Sequence, residues 1–138
     1  MRPSRAVARV LGLACALCAA GAAAGEVEIL DVLFRPTGKT WDIRVKLRHD
    51  DEGWRHYADA WRLRAPDGTV LATRILRHPH VEEQPFTRGL RGVRLPPGTR
   101  WVVVEAHDSV HGWSRHRVRV DLRRRSGPRY RVLPVGIR

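Results

Sequence analysis

Strict alternation of apolar and polar side chains between residues 41 and 48 is the feature that most constrains the fold of this chain. Apolar and charged positions follow one another in the order Trp41, Asp42, Ile43, Arg44, Val45, Lys46, Leu47, Arg48. Successive side chains of a strand point to opposite faces, so this segment predicts a strand with one buried face and one solvated face. No window sustains the 3.6-residue period of a helix, and we therefore expect an all-β protein.

Six further segments carry a short-strand signature and are separated by turns rich in glycine, proline and aspartate. The predicted strands are 27–34, 41–48, 57–64, 70–76, 92–95, 101–106 and 117–122. In the first strand the inward parity shifts between Ile29 and Leu30, which indicates a β-bulge. Seven short antiparallel strands are typical of a β-sandwich.

Trp61 on the third strand and the segment 93–106 resemble the pattern of immunoglobulin and fibronectin type III domains, whose third strand often buries a tryptophan. The resemblance implies a seven-stranded antiparallel immunoglobulin-like sandwich. We expect this domain at residues 26–122, after a signal peptide at 1–25 and before a basic C-terminal tail at 123–138.

The first 25 residues predict a secretory signal. Three arginines precede an apolar, alanine-rich run at 10–24, and Ala22, Ala23 and Ala24 form an A-x-A cleavage site before Gly25 or Glu26. The run is too short for a membrane span, so we expect Sec export to the periplasm or the medium and no transmembrane segment in the mature chain.

Both cysteines of the chain, Cys15 and Cys18, lie inside this predicted signal. The mature chain therefore offers no thiol for a disulfide, a thiolate metal site or a cysteine nucleophile. Acylation of either cysteine is the less favoured alternative, because the residues that precede them match a lipoprotein signal poorly.

The positive charge of the chain is concentrated at its C-terminal end. The formal net charge is +12, and nine arginines face one acidic residue between positions 115 and 138. Since an exported protein rarely meets nucleic acid, Arg123, Arg124 and Arg125 predict contact with an anionic envelope component or an acidic protein. A solvated run of charge without a partner is the alternative.

Antiparallel connections alternate between the two ends of a sandwich, so the loops 50–56, 77–86 and 108–115 are expected to share one end. We call it the histidine end, because all seven histidines of the chain lie in or beside these loops. Loops held by a rigid framework commonly carry binding sites, and the sequence therefore predicts a site at this end.

Metal binding is the sharpest hypothesis for the histidine end. Imidazole and carboxylate ligands without thiolate suit zinc or copper(II). Two imidazoles of the segment 78–80 share one side of an extended chain, and a histidine of the loops 50–56 or 108–115 would complete the site. The predicted ligands are His78, His80, His107 and His111. Calcium at the acidic run 50–52 and histidines bonded to loop backbone are the alternatives.

Two segments of the histidine end are similar to known exported proteins. The run WVVVEAHDSVHG at 101–112 is similar to the end of periplasmic copper-resistance β-sandwich chaperones, which place aspartate and histidine ligands there. That similarity implies metal binding by this segment. The run 78–88 resembles part of small uncharacterised exported bacterial proteins, which implies no activity.

A binding site for a protein or glycan is the broader interpretation of the same end. Exposed indoles suit sugar or peptide recognition. The predicted ligand-binding residues are Trp54, His56, Glu82, Glu83, Asp108 and Trp113. No residue is assigned a catalytic role, because the triad residue types Asp108, Ser109 and His111 are crowded into four loop positions, and metal-assisted hydrolysis is the enzymatic alternative.

The sequence thus predicts an exported, single-domain binding or accessory module. A copper or zinc protein that uses the histidines is one alternative. A structural subunit that docks through the basic tail is the other.

Overall fold

The computed structural model describes residues 25–136, and this part of the chain consists of β-strands and connecting turns. The strands are β1 (Glu28–Thr37), β2 (Thr40–Arg48), β3 (Ala58–Arg64), β4 (Val70–Ile75), β5 (Phe86–Val93), β6 (Trp101–Asp108), β7 (Gly112–Asp121), β8 (Ser126–Gly127) and β9 (Tyr130–Val132). The all-β prediction is confirmed, but the described residues form nine strands rather than seven. The predicted signal peptide lies outside the described residues, apart from Gly25.

The strands form two sheets with the orders β5-β2-β1-β9-β8 and β4-β3-β6-β7. Both sheets contribute to one buried apolar cluster, so the arrangement is sandwich-like. Neighbouring strands pair antiparallel, except that β9 runs parallel to β1. The immunoglobulin class is not confirmed by this topology.

Alternation explains the core of both sheets. Ile43, Val45 and Leu47 are fully buried, as the pattern of β2 predicts, and Trp61 is fully buried opposite them. The pairing of β1 with β2 shifts between Ile29 and Asp31, which confirms the predicted bulge.

Three parts of the fold differ from the sequence-based strands. β7 begins at Gly112, whereas the alternation predicted 117–122, so Trp113 lies in a strand and not in the predicted loop. The fifth strand begins at Phe86 and ends at Val93, whereas the apolar pattern predicted 92–95. Gly89 and Gly92 interrupt the alternation of apolar and polar side chains in this strand, so its first half gives no clear strand pattern. The segment predicted as a basic tail adds β8 and β9 to a sheet, where Tyr130 and Val132 are buried against β1.

The three loops of the histidine end lie together. The backbone N–H of His49 donates to the side-chain oxygen of Gln84 at 3.1 Å, which links the loop after β2 to the loop before β5. The backbone N–H of Ser109 donates to the carbonyl of Tyr57 at 3.0 Å, which links the loop after β6 to the same region. The alternation of connections therefore positions one cluster of loops, as the sequence predicted.

Candidate metal centre at the histidine end

The buried carboxylate of Asp51 organises the histidine end. Its Oδ1 accepts hydrogen bonds from Nδ1 of His49 at 2.6 Å and from the backbone N–H of Ala58 at 3.1 Å. Its Oδ2 accepts the backbone N–H of His80 at 2.7 Å. Burial alone would raise the pKa of Asp51, but these hydrogen bonds outweigh it and the pKa is lowered, so the carboxylate stays ionised.

His49 is held between two acceptors. Its Nδ1 faces Asp51, and its Nε2 lies 2.9 Å from the carbonyl oxygen of Gly25. Burial acts to lower the pKa of His49, but the bonds to Asp51 and Gly25 prevail and the pKa is raised. The environment of this ring therefore stabilises a positive charge.

Asp108 is the second buried carboxylate at this end. Its Oδ1 accepts the backbone N–H groups of Val110 at 2.9 Å and His111 at 2.6 Å. These bonds outweigh the effect of burial and hold the pKa of Asp108 below its usual value. Its Oδ2 is buried without a hydrogen-bond partner among the described residues.

His56 completes the cluster from the loop between β2 and β3. Its Nε2 lies 3.3 Å from Oδ1 of Asp108 and is also buried without a hydrogen-bond partner in the described part of the chain. One ligand atom from each of His49, His56 and Asp108 lies within 4.8 Å of the others. We call these three residues the metal-site candidate.

His111 flanks the metal-site candidate on its exposed side. Its Nδ1 lies 3.1 Å from Oδ1 of Asp108, and its ring centroid lies 4.9 Å from that of His56. The ring also contacts Gly25, since a side chain at that position would meet Cε1 of His111 at 2.7 Å. His111 is thus the predicted ligand that the structure brings to the cluster.

His78 and His80 form a separate pair. Their ring centroids are 4.7 Å apart. The ring of His80 stacks on Phe86 at 3.9 Å, and its Nε2 accepts a hydrogen bond from Arg88 at 2.9 Å. Burial lowers the pKa of His80, with Arg88 adding to the effect, so the ring is held neutral.

His107 points to the outer face of the β4-β3-β6-β7 sheet. Its Nδ1 bonds to Oδ1 of Asp59, and its ring packs edge-on against Trp113 at 4.8 Å. The guanidinium of Arg62 lies over the ring of Trp113, 3.6 Å from its centroid. The two predicted site residues His107 and Trp113 therefore contact each other and lie outside the metal-site candidate.

The remaining predicted ligand-binding residues lie on exposed loops. Trp54 is 68% exposed and packs edge-on against Tyr57 at 5.6 Å. Glu82 is exposed, and Glu83 pairs with Arg88 at 3.0 Å. Arg123, Arg124 and Arg125 are exposed in the turn between β7 and β8.

Sequence reasoning did not name His49 as a ligand, although the signal was present. The inward positions of β2 are 43, 45 and 47, and His49 is the next position of the same parity. In β6 the inward positions 102, 104 and 106 lead to Asp108 in the same way and place His107 outward. Extending each alternation by one step would have separated His49 and Asp108 from His107.

The comparisons with known proteins give one informative match. Over 97 residues the chain is 37% identical to a protein of Halomicrobium mukohataei named "Putative lipoprotein", which covers 70% of this chain and 47% of that protein. The chain thus spans about half the length of this relative. The relative's name indicates an exported protein.

No family model and no solved structure matches the chain. The predicted similarity to copper-resistance chaperones is not shown by these comparisons, and neither is the immunoglobulin class. Residues 25–136 contain no helix long and apolar enough to cross a membrane.

Proposed function

We propose that this chain is an exported accessory protein that binds a divalent transition metal, zinc or copper(II), through His49, His56 and Asp108. The observation that carries the proposal is that two neighbouring side chains, His56 and Asp108, each bury an unpaired polar atom. Nε2 of His56 and Oδ2 of Asp108 are both buried and lack a hydrogen-bond partner among the described residues. A buried polar group left unpaired costs about 1–3 kcal/mol, which a bound ion would recover.

The donor set suits the proposed ion. Two imidazoles and a carboxylate are the ligands of many zinc sites, and copper(II) accepts the same groups. Nε2 of His56 and Oδ1 of Asp108 are separated by 3.3 Å. Because Oδ1 already accepts two backbone N–H groups, the unpaired Oδ2 of the same carboxylate is the proposed ligand atom.

Asp51 supports the proposal by orienting His49. A metal-bound histidine commonly donates its other ring nitrogen to a carboxylate, which fixes the ring and increases its basicity. Asp51 holds Nδ1 of His49 in this manner, which leaves Nε2 for the ion. In the structure Nε2 contacts the carbonyl oxygen of Gly25, and a bound ion would replace that contact. The positive charge of the ion would then replace the charge of the protonated ring.

His111 is the proposed fourth ligand. Its side chain is 38% exposed, so the ring can turn toward the ion without disturbing the core. With His111 bound, the ion would have four protein ligands, as in structural zinc sites.

Thermal unfolding with added zinc chloride or copper sulfate tests the proposal. A ligand that binds only the folded chain stabilises it by about 2.7 kcal/mol at a hundredfold excess over Kd. We expect this shift to be lost in His56→Ala and in Asp108→Asn, which keeps the acceptor for Val110 and His111. The matched control His78→Ala removes an exposed imidazole outside the metal-site candidate and should retain the shift.

Two outcomes would contradict the proposal. One is a wild-type protein whose unfolding temperature does not respond to either metal. The other is a shift that survives His56→Ala and Asp108→Asn but disappears when His78 and His80 are replaced together, which would assign the metal to that pair.

Partner binding by the loops is the second candidate function. Each loop of the histidine end exposes one large apolar side chain, and these are Trp54, Val81 and Val110. A protein or glycan partner would cover Trp54 first, since it offers the largest rigid contact area. Quenching of its fluorescence by a partner, absent in Trp54→Ala, is the corresponding observation.

A further inference from the structure

A groove on the outer face of the β5-β2-β1 sheet lies apart from the metal-site candidate. Its volume is about 580 Å³, within the range of pockets that hold small molecules. The charged residues that line it are Arg35, Asp42, Arg44 and Arg91. Leu33 supplies apolar lining beside them, whereas Leu90 lies opposite the buried Ile43 and packs partly against the core.

The strand register explains how the groove is formed. Leu33, Arg44 and Gly89 lie in one row across β1, β2 and β5. Gly89 cannot carry a side chain here, since its Cβ would lie 2.8 Å from the carbonyl oxygen of Ile43. The row therefore carries a long side chain at Arg44 and none at Gly89, which leaves a depression beside Arg44. Arg35 stands diagonally across from Arg44, near enough for both guanidinium groups to reach one ligand.

The arginines of the groove lack acidic partners. Nine other arginines of the described residues form ion pairs with carboxylates. Arg35, Arg44 and Arg91 have no carboxylate oxygen within 4.0 Å in residues 25–136. Asp42 lies opposite Arg35 in the register, but its Oδ1 accepts the backbone N–H of Gly92 at 3.1 Å instead.

We propose that this groove binds a phosphate monoester with a small organic body. Three guanidinium groups and one carboxylate give the lining a formal charge of +2, which complements the charge of about −1.5 to −2 on a phosphate monoester. Arginine binds phosphate through paired N–H groups, and the hydroxyl of Thr87 adds a further donor. Leu33 would contact the organic body.

Phenyl phosphate is the probe, and isothermal titration calorimetry on the exported protein is the measurement. We expect phenyl phosphate to bind more tightly than inorganic phosphate, because only the ester reaches Leu33. Removing two groove arginines, Arg35→Gln with Arg44→Gln, should weaken binding by about tenfold or more. The matched control is Arg55→Gln with Arg77→Gln, which removes the same charge from two exposed loops outside the groove and should leave the affinity within about twofold.

A variant that is expected to gain affinity distinguishes an effect on the groove from misfolding. Asp42→Asn keeps the acceptor for the N–H of Gly92 but removes the one negative charge of the groove. We expect this variant to bind phenyl phosphate several-fold more tightly, a result that a damaged fold does not produce.

Vesicles distinguish the two sources of such a phosphate. Binding to vesicles of phosphatidic acid, lost in the groove variant and absent with phosphatidylcholine, would assign the phosphate to a lipid headgroup. Binding of phenyl phosphate alone would assign it to a soluble ester. The proposal is overturned if neither probe binds, or if the control pair loses as much affinity as the groove pair.

Discussion

At the scale of single residues, burial separates the side chains that hold the fold from those that face outward. Trp61 is fully buried between the sheets, whereas Trp54 is 68% exposed on a loop. The two indoles are chemically identical. A difference between the stability losses of their alanine variants therefore reflects only the surroundings of each side chain.

Trp61→Ala should lower the free energy of unfolding by about 3–5 kcal/mol, because a large side chain is lost from a close-packed core. Trp54→Ala should change it by no more than about 0.5 kcal/mol, as for most surface substitutions. Chemical denaturation of both variants checks this. Equal losses would show that Trp54 also supports the packing.

Single residues also show where sequence reasoning stops. Parity placed Ile43 and Trp61 correctly, because alternation is a property of any strand. The partner of each histidine depends on loop geometry, which no period records. His80 stacks on Phe86 and accepts from Arg88 instead of joining His111, and only the folded backbone decides between these outcomes.

At the scale of elements, a hydrogen bond joins β1 of one sheet to β7 of the other. The backbone N–H of Ile29 in β1 donates to Nδ1 of His116 in β7 at 3.1 Å. This bond requires an unprotonated Nδ1. Burial, with Arg129 nearby, lowers the pKa of His116, while Glu28 opposes the shift.

The lowered pKa of His116 predicts a loss of stability in acid. Below the usual histidine pKa of about 6.5 the unfolded chain takes up a proton that the folded chain resists, so the free energy of unfolding falls as the pH decreases. His116→Gln removes this contribution and keeps an acceptor for Ile29. Thermal unfolding at pH 7.5 and 5.5 should therefore show a smaller pH effect in the variant. An identical pH effect in both proteins would refute the assignment.

The strands themselves were predictable to different degrees. β2 is long and alternates strictly, so its bounds follow from the sequence. β8 and β9 are only two and three residues long and lie among arginines. The segment therefore has the composition of a solvated tail, although Tyr130 and Val132 are buried. The parallel pairing of β9 with β1 is a tertiary contact with no local signature.

At the scale of the whole molecule, the two proposed sites occupy different parts of one framework. The metal-site candidate lies among the loops of the histidine end, and the arginine groove lies on the outer face of a sheet. Asp51 and Asp108 are fixed by backbone hydrogen bonds, so the carboxylates are oriented before any ligand arrives. Such preorganisation reduces the entropy cost of binding.

Native mass spectrometry of the exported protein, as purified and after chelation and reloading with zinc or copper(II), counts the metal ions bound to each chain. We expect one metal ion per chain, its loss on chelation, its return on reloading, and its absence from His56→Ala but not from His78→Ala. Wild-type protein that stays metal-free after reloading, or a His56→Ala variant that keeps one ion, would contradict the metal centre.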